Sequence, residues 1–335
     1  MTQPDPALRI AVPEAIDLAA FRSFDPSAPV VHLAGETMGT RWHVRAAAPR
    51  SGGLDAPQLQ SLVQARLDGI VADMSHWEPQ SQLSRFNCAD EGTRMKLSED
   101  FAAVMAAALD IASASNGAFD PALGRLTDLW GLGPRRRAID PGQGQIDVTL
   151  CHAGWQRLKF DQPSRTLCQP GGVWLDLSGI AKGYAADAVA ALLAGQGLYH
   201  ALVEIGGECT GRGLRPDGDP WWVDIENPPG VQLPPLRIAL HQLSVATSGD
   251  YLRGGHTIDP RTGWPAIHKT TAVTVVHPRC MIADGWATAL SVLDDAAAQQ
   301  MASRQRLIAR IVLRDGSEWL SPALEEMVYA DAAAA

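Results

Sequence analysis

Hydrophobic positions along the chain repeat at two different spacings. Apolar residues three and four positions apart predict helices over 56–74, 98–116, 179–193 and 281–293. Short apolar runs rich in β-branched residues predict strands over 30–33, 174–177, 201–205, 221–226, 236–240, 244–247, 272–276 and 307–313. The chain therefore contains both kinds of element in quantity.

The order of these elements favours one fold class over another. The strands do not alternate regularly with the helices, as they would in a doubly wound parallel sheet. We therefore predict an α+β fold with mixed or antiparallel sheets and helices packed on them. Residues 1–29 are rich in Pro and Ala and lack a pattern, so we expect a loosely ordered N-terminal arm, one domain over 30–328, and a frayed tail over 329–335.

Composition narrows the range of partners. The 335 residues are 46% hydrophobic and 19% charged, with a net charge of -9. A chain this acidic is a poor match for nucleic acid, whose binding needs clustered Lys and Arg. No apolar run approaches the length of a membrane span, and no signal peptide or lipid-acceptor cysteine is recognisable near Met1, so we expect a cytoplasmic protein as written.

Glycine-rich polar blocks are the most distinctive local feature. They lie at 37–40, 117–121, 176–183, 204–208 and 246–250, whereas the P-loop, serine-hydrolase and zincin motifs are absent from the sequence. Glycine lets backbone N–H groups approach an anion, and the helix predicted after Gly179 adds its positive dipole end. These blocks are compatible with phosphate binding, or with tight turns and caps alone.

A candidate metal site lies on the last predicted helix. Asp284 and Thr288 are four residues apart, so their oxygens project from one helix face. Hard oxygen ligands suit Mg²⁺, which often completes its shell with water and substrate phosphates. The alternative is that Asp284 only stabilises the first helical turn and that Thr288 is an ordinary helix residue.

Two further features could contribute to catalysis or ligand binding. His256 lies in the polar turn 256–263 and is the best candidate for an acid–base group, although a turn histidine is often merely exposed. Trp77 and Trp130 lie in loop-like segments, where an aromatic face could stack on a purine or flavin ring or pack in the core.

Taken in order, these blocks resemble those of the FAD:protein FMN transferases, the ApbE-like flavin transferases. The resemblance spans about 33–320 and rests on 37–40, 81–87, 117–121, 176–184, 204–208, 247–251, 256–263 and 283–288. It implies that 30–328 is one flavin transferase domain, similar to the tunnelling fold, with FAD held in a cleft. It also implies Mg²⁺-dependent transfer of FMN from FAD, through its phosphate, to a Ser or Thr hydroxyl of an acceptor protein, with AMP leaving.

The same resemblance assigns site residues by matching position. Contacts to FAD fall on Met38, Trp77, Ala118, Phe119, Asp120, Asp176, Lys182 and Ile258. The resemblance assigns the metal ligands to Asp284, Thr288 and the backbone carbonyl of Gly179. His256 is our candidate for the base that takes the proton from the acceptor's hydroxyl group. Members of this family are usually exported or anchored facing the periplasm, which differs from the location expected above.

Two other functions remain open from the sequence. In a Mg²⁺-dependent FAD pyrophosphatase, water would replace the acceptor hydroxyl and the products would be FMN and AMP. A non-catalytic FAD carrier would need neither a metal nor His256. The pairing of Asp284 with Thr288 favours an enzyme over a carrier.

Overall fold

The computed structural model describes residues 8–21, 23–48, 55–135, 141–249, 257–267 and 269–330. The strands in these ranges are β1 (Arg9–Ala11), β2 (Val30–Thr37), β3 (Thr40–Ala47), β4 (Arg94–Lys96), β5 (Lys159–Asp161), β6 (Thr166–Cys168), β7 (Ala201–Ile205), β8 (Glu208–Arg212), β9 (Trp221–Ile225), β10 (Leu236–Leu240), β11 (Leu243–Gly249), β12 (Thr270–His277), β13 (Ile308–Leu313), β14 (Glu318–Leu320) and β15 (Val328–Ala330). The α-helices are α1 (Ala56–Met74), α2 (Gln82–Asn87), α3 (Glu99–Ala114), α4 (Gly124–Leu129), α5 (Gln143–Leu150), α6 (Ala181–Gly195), α7 (Cys280–Val292), α8 (Asp295–Arg304) and α9 (Pro322–Glu325).

An eight-stranded sheet organises the fold. Its order is β14-β13-β12-β11-β8-β7-β3-β2, and every neighbouring pair in it is antiparallel. A four-stranded sheet of order β15-β1-β10-β9 and a small sheet of order β4-β6-β5 complete the architecture. The predicted α+β class, with antiparallel sheets and packed helices, is confirmed.

The two faces of the large sheet are covered differently. Helices α1, α3, α6 and α7 cover one face, and their apolar residues form the main core with inward-facing strand residues such as Trp42 and Val203. The four-stranded sheet supplies a second core, in which Leu236 and Ile238 pack with Leu202 and Val245 of the large sheet. No helix in the described part of the chain combines the length and apolar content needed to cross a bilayer.

The N-terminal segment is more ordered than the sequence indicated. Strand β1 pairs in parallel with β10 and antiparallel with β15, so the sheets begin at Arg9 rather than at Val30. Arg9 also bonds Glu318, far away in sequence. Because these partners lie more than 200 residues downstream, no local pattern could reveal the strand. Strand β15 likewise extends to Ala330, into the segment expected to fray.

Most predicted helices agree with the structure. The first has the bounds of α1, whose N-cap Asp55 forms a capping box with Gln58. Ser98 caps α3 as expected, whereas α6 begins and ends two residues later than predicted. The local patterns of these helices therefore agree with their tertiary environment.

The strand predicted over 174–177 does not form. Instead, the Asn87 side chain accepts the Leu175 N–H at 2.7 Å and donates to the Leu175 carbonyl at 3.0 Å. A side-chain amide thus takes the place of a neighbouring strand. On either side of Leu175, the Trp174 carbonyl accepts the Gly124 N–H and the Asp176 N–H donates to the Pro121 carbonyl, both at 2.9 Å. Apolar patterning cannot anticipate these partners.

Helices α6 and α7 cross antiparallel and cap each other. Asp284 of α7 accepts the N–H of Gly183 in the first turn of α6 at 2.9 Å. Asp187 of α6 accepts the N–H groups of Cys280 and Met281 in the first turn of α7 at 2.9 and 3.0 Å. Each carboxylate therefore satisfies N–H groups that have no partner within their own helix.

Gly183 allows these two helices to approach closely. A Cβ atom at this position would lie 2.5 Å from the Cys280 carbonyl oxygen and 2.7 Å from the Asp284 Cβ. We expect Gly183→Ala to lower the free energy of unfolding by about 1–3 kcal/mol, because the backbone of α7 would have to move. Urea unfolding followed by circular dichroism measures this change.

Gly195→Ala is the matched control within the same helix. A Cβ atom there meets no other atom within 4 Å. Its stability should be unchanged or slightly raised, since alanine is the better helix former. Equal stability of the Gly183→Ala variant and the wild type would contradict the close-contact interpretation.

Candidate functional site

The loop before α6 brings two predicted metal ligands together. Gly179 lies in this loop, and its carbonyl oxygen accepts a hydrogen bond from the Thr288 hydroxyl at 3.2 Å. A Cβ atom on Gly179 would lie only 2.9 Å from that hydroxyl oxygen. Ser248 at the end of β11 places a second hydroxyl 3.3 Å from Thr288 Oγ1. The structure thus gathers oxygen atoms from three distant segments at one point.

Asp284 lies one helical turn before Thr288 and is only 3% exposed. Its Oδ2 atom accepts the Gly183 N–H, which leaves Oδ1 as the carboxylate oxygen that a cation would use. One carboxylate, one hydroxyl and one carbonyl make a hard oxygen set that fits Mg²⁺. Among the described residues, no group of three or more His, Cys, Asp or Glu side chains is arranged to hold a metal.

A buried charge cluster adjoins this oxygen set. Lys182 forms an ion pair with Glu208, and burial raises the pKa of Glu208 to about 7 although Lys182 opposes the change. Burial also raises the pKa of Asp284, again against the influence of Lys182. Two acidic groups share one ammonium, so the cluster can accept further positive charge.

Asp176 stands at the start of the same loop and is held by three groups. Its Oδ1 accepts the Ser178 N–H at 2.9 Å, and its Oδ2 accepts the Thr127 hydroxyl at 2.8 Å. The Nδ1 atom of His76 lies 3.4 Å from Oδ1. Burial would raise the pKa of Asp176, but the hydrogen bonds from His76 and Ser178 hold it well below its ordinary value. Asp176 is therefore ionised and fixed in orientation.

His76 is a residue that the sequence reasoning missed. Its neighbour Trp77 attracted attention as an aromatic residue in a loop, whereas nothing local distinguished His76. Only the fold places its ring beside Asp176. The ring centroids of His76 and Trp77 are 5.4 Å apart, and the Trp77 side chain is 53% exposed. Trp77 therefore offers a ring face to a ligand.

The block at 117–121 supports Asp176 from a second side. Ala118 and Phe119 are buried, and the Pro121 carbonyl accepts the Asp176 N–H at 2.9 Å. Asp120 accepts backbone N–H groups from Ala122 and Trp155 at 2.7 and 3.0 Å. Burial raises the pKa of Asp120 to about 6. In this structure, these residues fix the loop that carries Asp176.

Met38 occupies the turn between β2 and β3 with a φ of 49°, and it packs against the main core. Thr40, next to this turn, lies close to Gly206, where a Cβ atom would lie 2.8 Å from the Thr40 side chain. Gly206 lies two residues before Glu208, the partner of Lys182. The turns that contain Met38 and Gly206 are therefore neighbours.

Ile258 is linked to Asp176 through helix α4. It is buried and packs with Leu126 of α4 and with Ile146. The next residue of α4, Thr127, is the one that donates to Asp176. At the end of α4, the Trp130 indole donates to the Gly263 carbonyl at 2.8 Å. His256, the candidate base, lies outside the described residues, so its role stays a prediction.

Comparison with known proteins agrees with this arrangement. A sequence model of the ApbE family matches residues 38–312. The FAD:protein FMN transferase of Salmonella typhimurium is 34% identical over 325 residues, which cover 91% of each chain. The protein of the same name from Haemophilus influenzae is also 34% identical, over 91% of this chain and 92% of its own.

Solved structures give the same result. The flavin transferase ApbE of Vibrio cholerae superposes with a TM-score of 0.84 at 32% identity, covering 90% of this chain and 99% of its own. The flavinyl transferase ApbE of Pseudomonas stutzeri, in its apo form, gives 0.83 at 33% identity, covering 90% and 98%. The fold is thus that of the solved flavin transferases. The chain belongs to the ApbE family.

The pair of His76 and Asp176 should make stability depend on pH. Burial alone would lower the pKa of His76, but Asp176 and the more distant Asp128 raise it above its ordinary value of 6.5. The stabilisation is therefore fully present below pH 6.5 and is lost as the pH rises through the raised value. The pKa of Asp176 is lowered from 3.8, so the stabilisation is also lost as the pH falls through its lowered value.

We expect His76→Phe to cost about 1–3 kcal/mol in the free energy of unfolding between pH 4 and pH 6. The cost should shrink as the pH rises through the raised pKa of His76, where the wild-type imidazole loses its charge. Urea titrations at several pH values measure it, and His32→Phe on the exposed face of β2 is the control. A cost that grows toward high pH would contradict the charged pairing.

Proposed function

We propose that this chain transfers FMN from FAD to a Ser or Thr hydroxyl of an acceptor flavoprotein and releases AMP, with Mg²⁺ as the metal. The observation that carries the proposal is the convergence of Gly179, Asp284 and Thr288 at the crossing of α6 and α7. The family and the names of its relatives support the same reaction. The site has hard oxygen ligands and an adjacent lysine, which a diphosphate substrate requires.

The reaction is a displacement at phosphorus. The acceptor oxygen forms a new P–O bond to the FMN phosphate, the P–O bond of the diphosphate bridge breaks, and AMP leaves with the bonding electrons. A bound Mg²⁺ supplies charge neutralisation for the diphosphate oxygens. The hydroxyl proton needs an acceptor as the oxygen attacks, and we assign this role to His256.

The chain's own residues hold the substrate in this proposal. Lys182, paired with Glu208 beside Asp284, would bind a phosphate oxygen of FAD. Trp77 would stack on the isoalloxazine ring, since more than half of its side chain is exposed. Asp176, held by Thr127 and Ser178, would contact the flavin part of the same molecule. The proposed contacts thus extend from the metal ligands to the flavin.

Asp284→Asn is the most informative substitution for this proposal. The asparagine carbonyl can still accept the Gly183 N–H, so the helix contact is retained while the negative charge is lost. We expect AMP release from FAD to fall by at least about 100-fold. The affinity for FAD should change by less than about tenfold, or 1.4 kcal/mol.

The assay incubates the full chain with FAD, Mg²⁺ and an acceptor carrying the sequence Asp-Gly-x-Thr-Gly-Ala-Thr. AMP is quantified and the intact mass of the acceptor is recorded. Asp110→Asn, the same change at an exposed position of α3, is the matched control and should behave as the wild type. AMP without a mass increase would show hydrolysis instead of transfer, and FAD binding without AMP would show a carrier.

A further inference from the structure

A buried ring nitrogen beside Asp176 has no partner within the described part of the chain. The Nε2 atom of His76 is inaccessible to solvent and makes no hydrogen bond there. The His76 side chain as a whole is 12% exposed, and the carboxylate of Asp176 that it faces is 9% exposed. A buried polar atom without a partner destabilises the fold. A ligand that forms a hydrogen bond with Nε2 would explain why this atom is buried without a partner among the residues described.

The other ring nitrogen already has a function. Nδ1 lies 3.4 Å from Asp176 Oδ1, and an ionised carboxylate only accepts hydrogen bonds, so Nδ1 carries a hydrogen. Asp176 is in turn fixed by Thr127 and Ser178. The ring is thereby oriented, and Nε2 is left to pair with something other than the chain.

The surroundings of His76 favour a flavin over a phosphate. Asp176 is ionised next to the ring, and Asp128 also acts on it through its charge. These two carboxylates offset the positive charge of a protonated His76, so the surroundings of the ring have no net positive charge that would attract an anionic phosphate. On the adjacent side, the Trp77 ring lies 5.4 Å from the His76 ring and is tilted by 39°. An aromatic surface and a hydrogen-bonding nitrogen thus lie next to each other.

We propose that His76 is a flavin-binding residue whose Nε2 forms a hydrogen bond with the polar edge of the isoalloxazine ring of FAD. That edge carries both carbonyl oxygens and an N–H group, so it can pair with either protonation state of the imidazole. Because Nε2 is buried, this contact requires a movement that exposes the atom to the bound flavin. This inference rests on the proposed function, because it concerns the same FAD.

Two substitutions separate the two ring nitrogens. In His76→Asn the amide nitrogen takes the place of Nδ1 and keeps a donor for Asp176, but nothing replaces Nε2. In His76→Gln the amide group reaches the place of Nε2 and keeps a hydrogen-bonding group for the flavin, at the expense of Nδ1. A residue that only positions Asp176 would depend on Nδ1, so His76→Asn would then be the milder change.

The experiment measures dissociation constants of wild type and both variants for FAD and for ADP, which shares the adenosine diphosphate part but lacks the flavin. We expect His76→Asn to weaken FAD binding about tenfold and to leave ADP binding within twofold. His76→Gln should bind FAD within about threefold of the wild type. The shift of the flavin absorption bands on binding should change in His76→Asn only.

Other results would overturn the inference. Equal FAD affinity of His76→Asn and wild type would show that Nε2 makes no contact with the flavin. An equal loss for FAD and ADP would assign the effect to the phosphates or to the fold, which thermal unfolding of each variant distinguishes. A wild type that binds no FAD would instead refute the proposed function, and the inference with it.

Discussion

Helices α6 and α7 exchange caps, and the candidate site depends on this exchange. Asp284 accepts the Gly183 N–H, while Asp187 accepts the N–H groups of Cys280 and Met281. Because the helices run antiparallel, the contact is anchored at two places along their length. The two helices can approach this closely only because Gly183 has no side chain. The residues proposed to hold the metal lie along this contact, so the proposed metal site and the helix packing share one carboxylate.

The position of Asp284 within the helix contact explains the charge distribution at the site. Asp284 is almost fully buried, and a buried carboxylate needs compensation. Gly183 supplies a hydrogen bond and Lys182 a positive charge, but Glu208 competes for the same lysine. The cluster therefore remains acidic. A divalent cation would offset this negative charge and allow a substrate diphosphate to bind beside it in the proposed reaction.

The surroundings of Asp176 differ from those of Asp284, because they favour an ionised carboxylate. Its carboxylate accepts from a backbone N–H, a hydroxyl and an imidazole, and these favour the ionised form. Asn87 and Pro121 fix the backbone of the same segment. The groups around this loop therefore fix the position of the Asp176 side chain. A rigid carboxylate next to an exposed tryptophan is suited to orienting a flavin before the transfer.

The sequence by itself determined the elements whose signals are local. The helix over 56–74, the N-cap Ser98 and the strand over 201–205 follow from apolar spacing and capping chemistry, which depend on neighbours a few residues away. The spacing of Asp284 and Thr288 on one helix face was readable for the same reason. The order of eight short segments was sufficient to indicate the family, although each segment alone is a weak signal.

Only the tertiary structure decided the long-range pairings. Strand β1 exists because β10 and β15 lie beside it. The segment at 174–177 forms no strand, and both backbone groups of Leu175 bond the Asn87 side chain. His76 acquires a role only when the fold sets it against Asp176, about 100 residues further along the chain. A side chain's partner across the fold is a property of packing in three dimensions, and no periodicity along the chain records it.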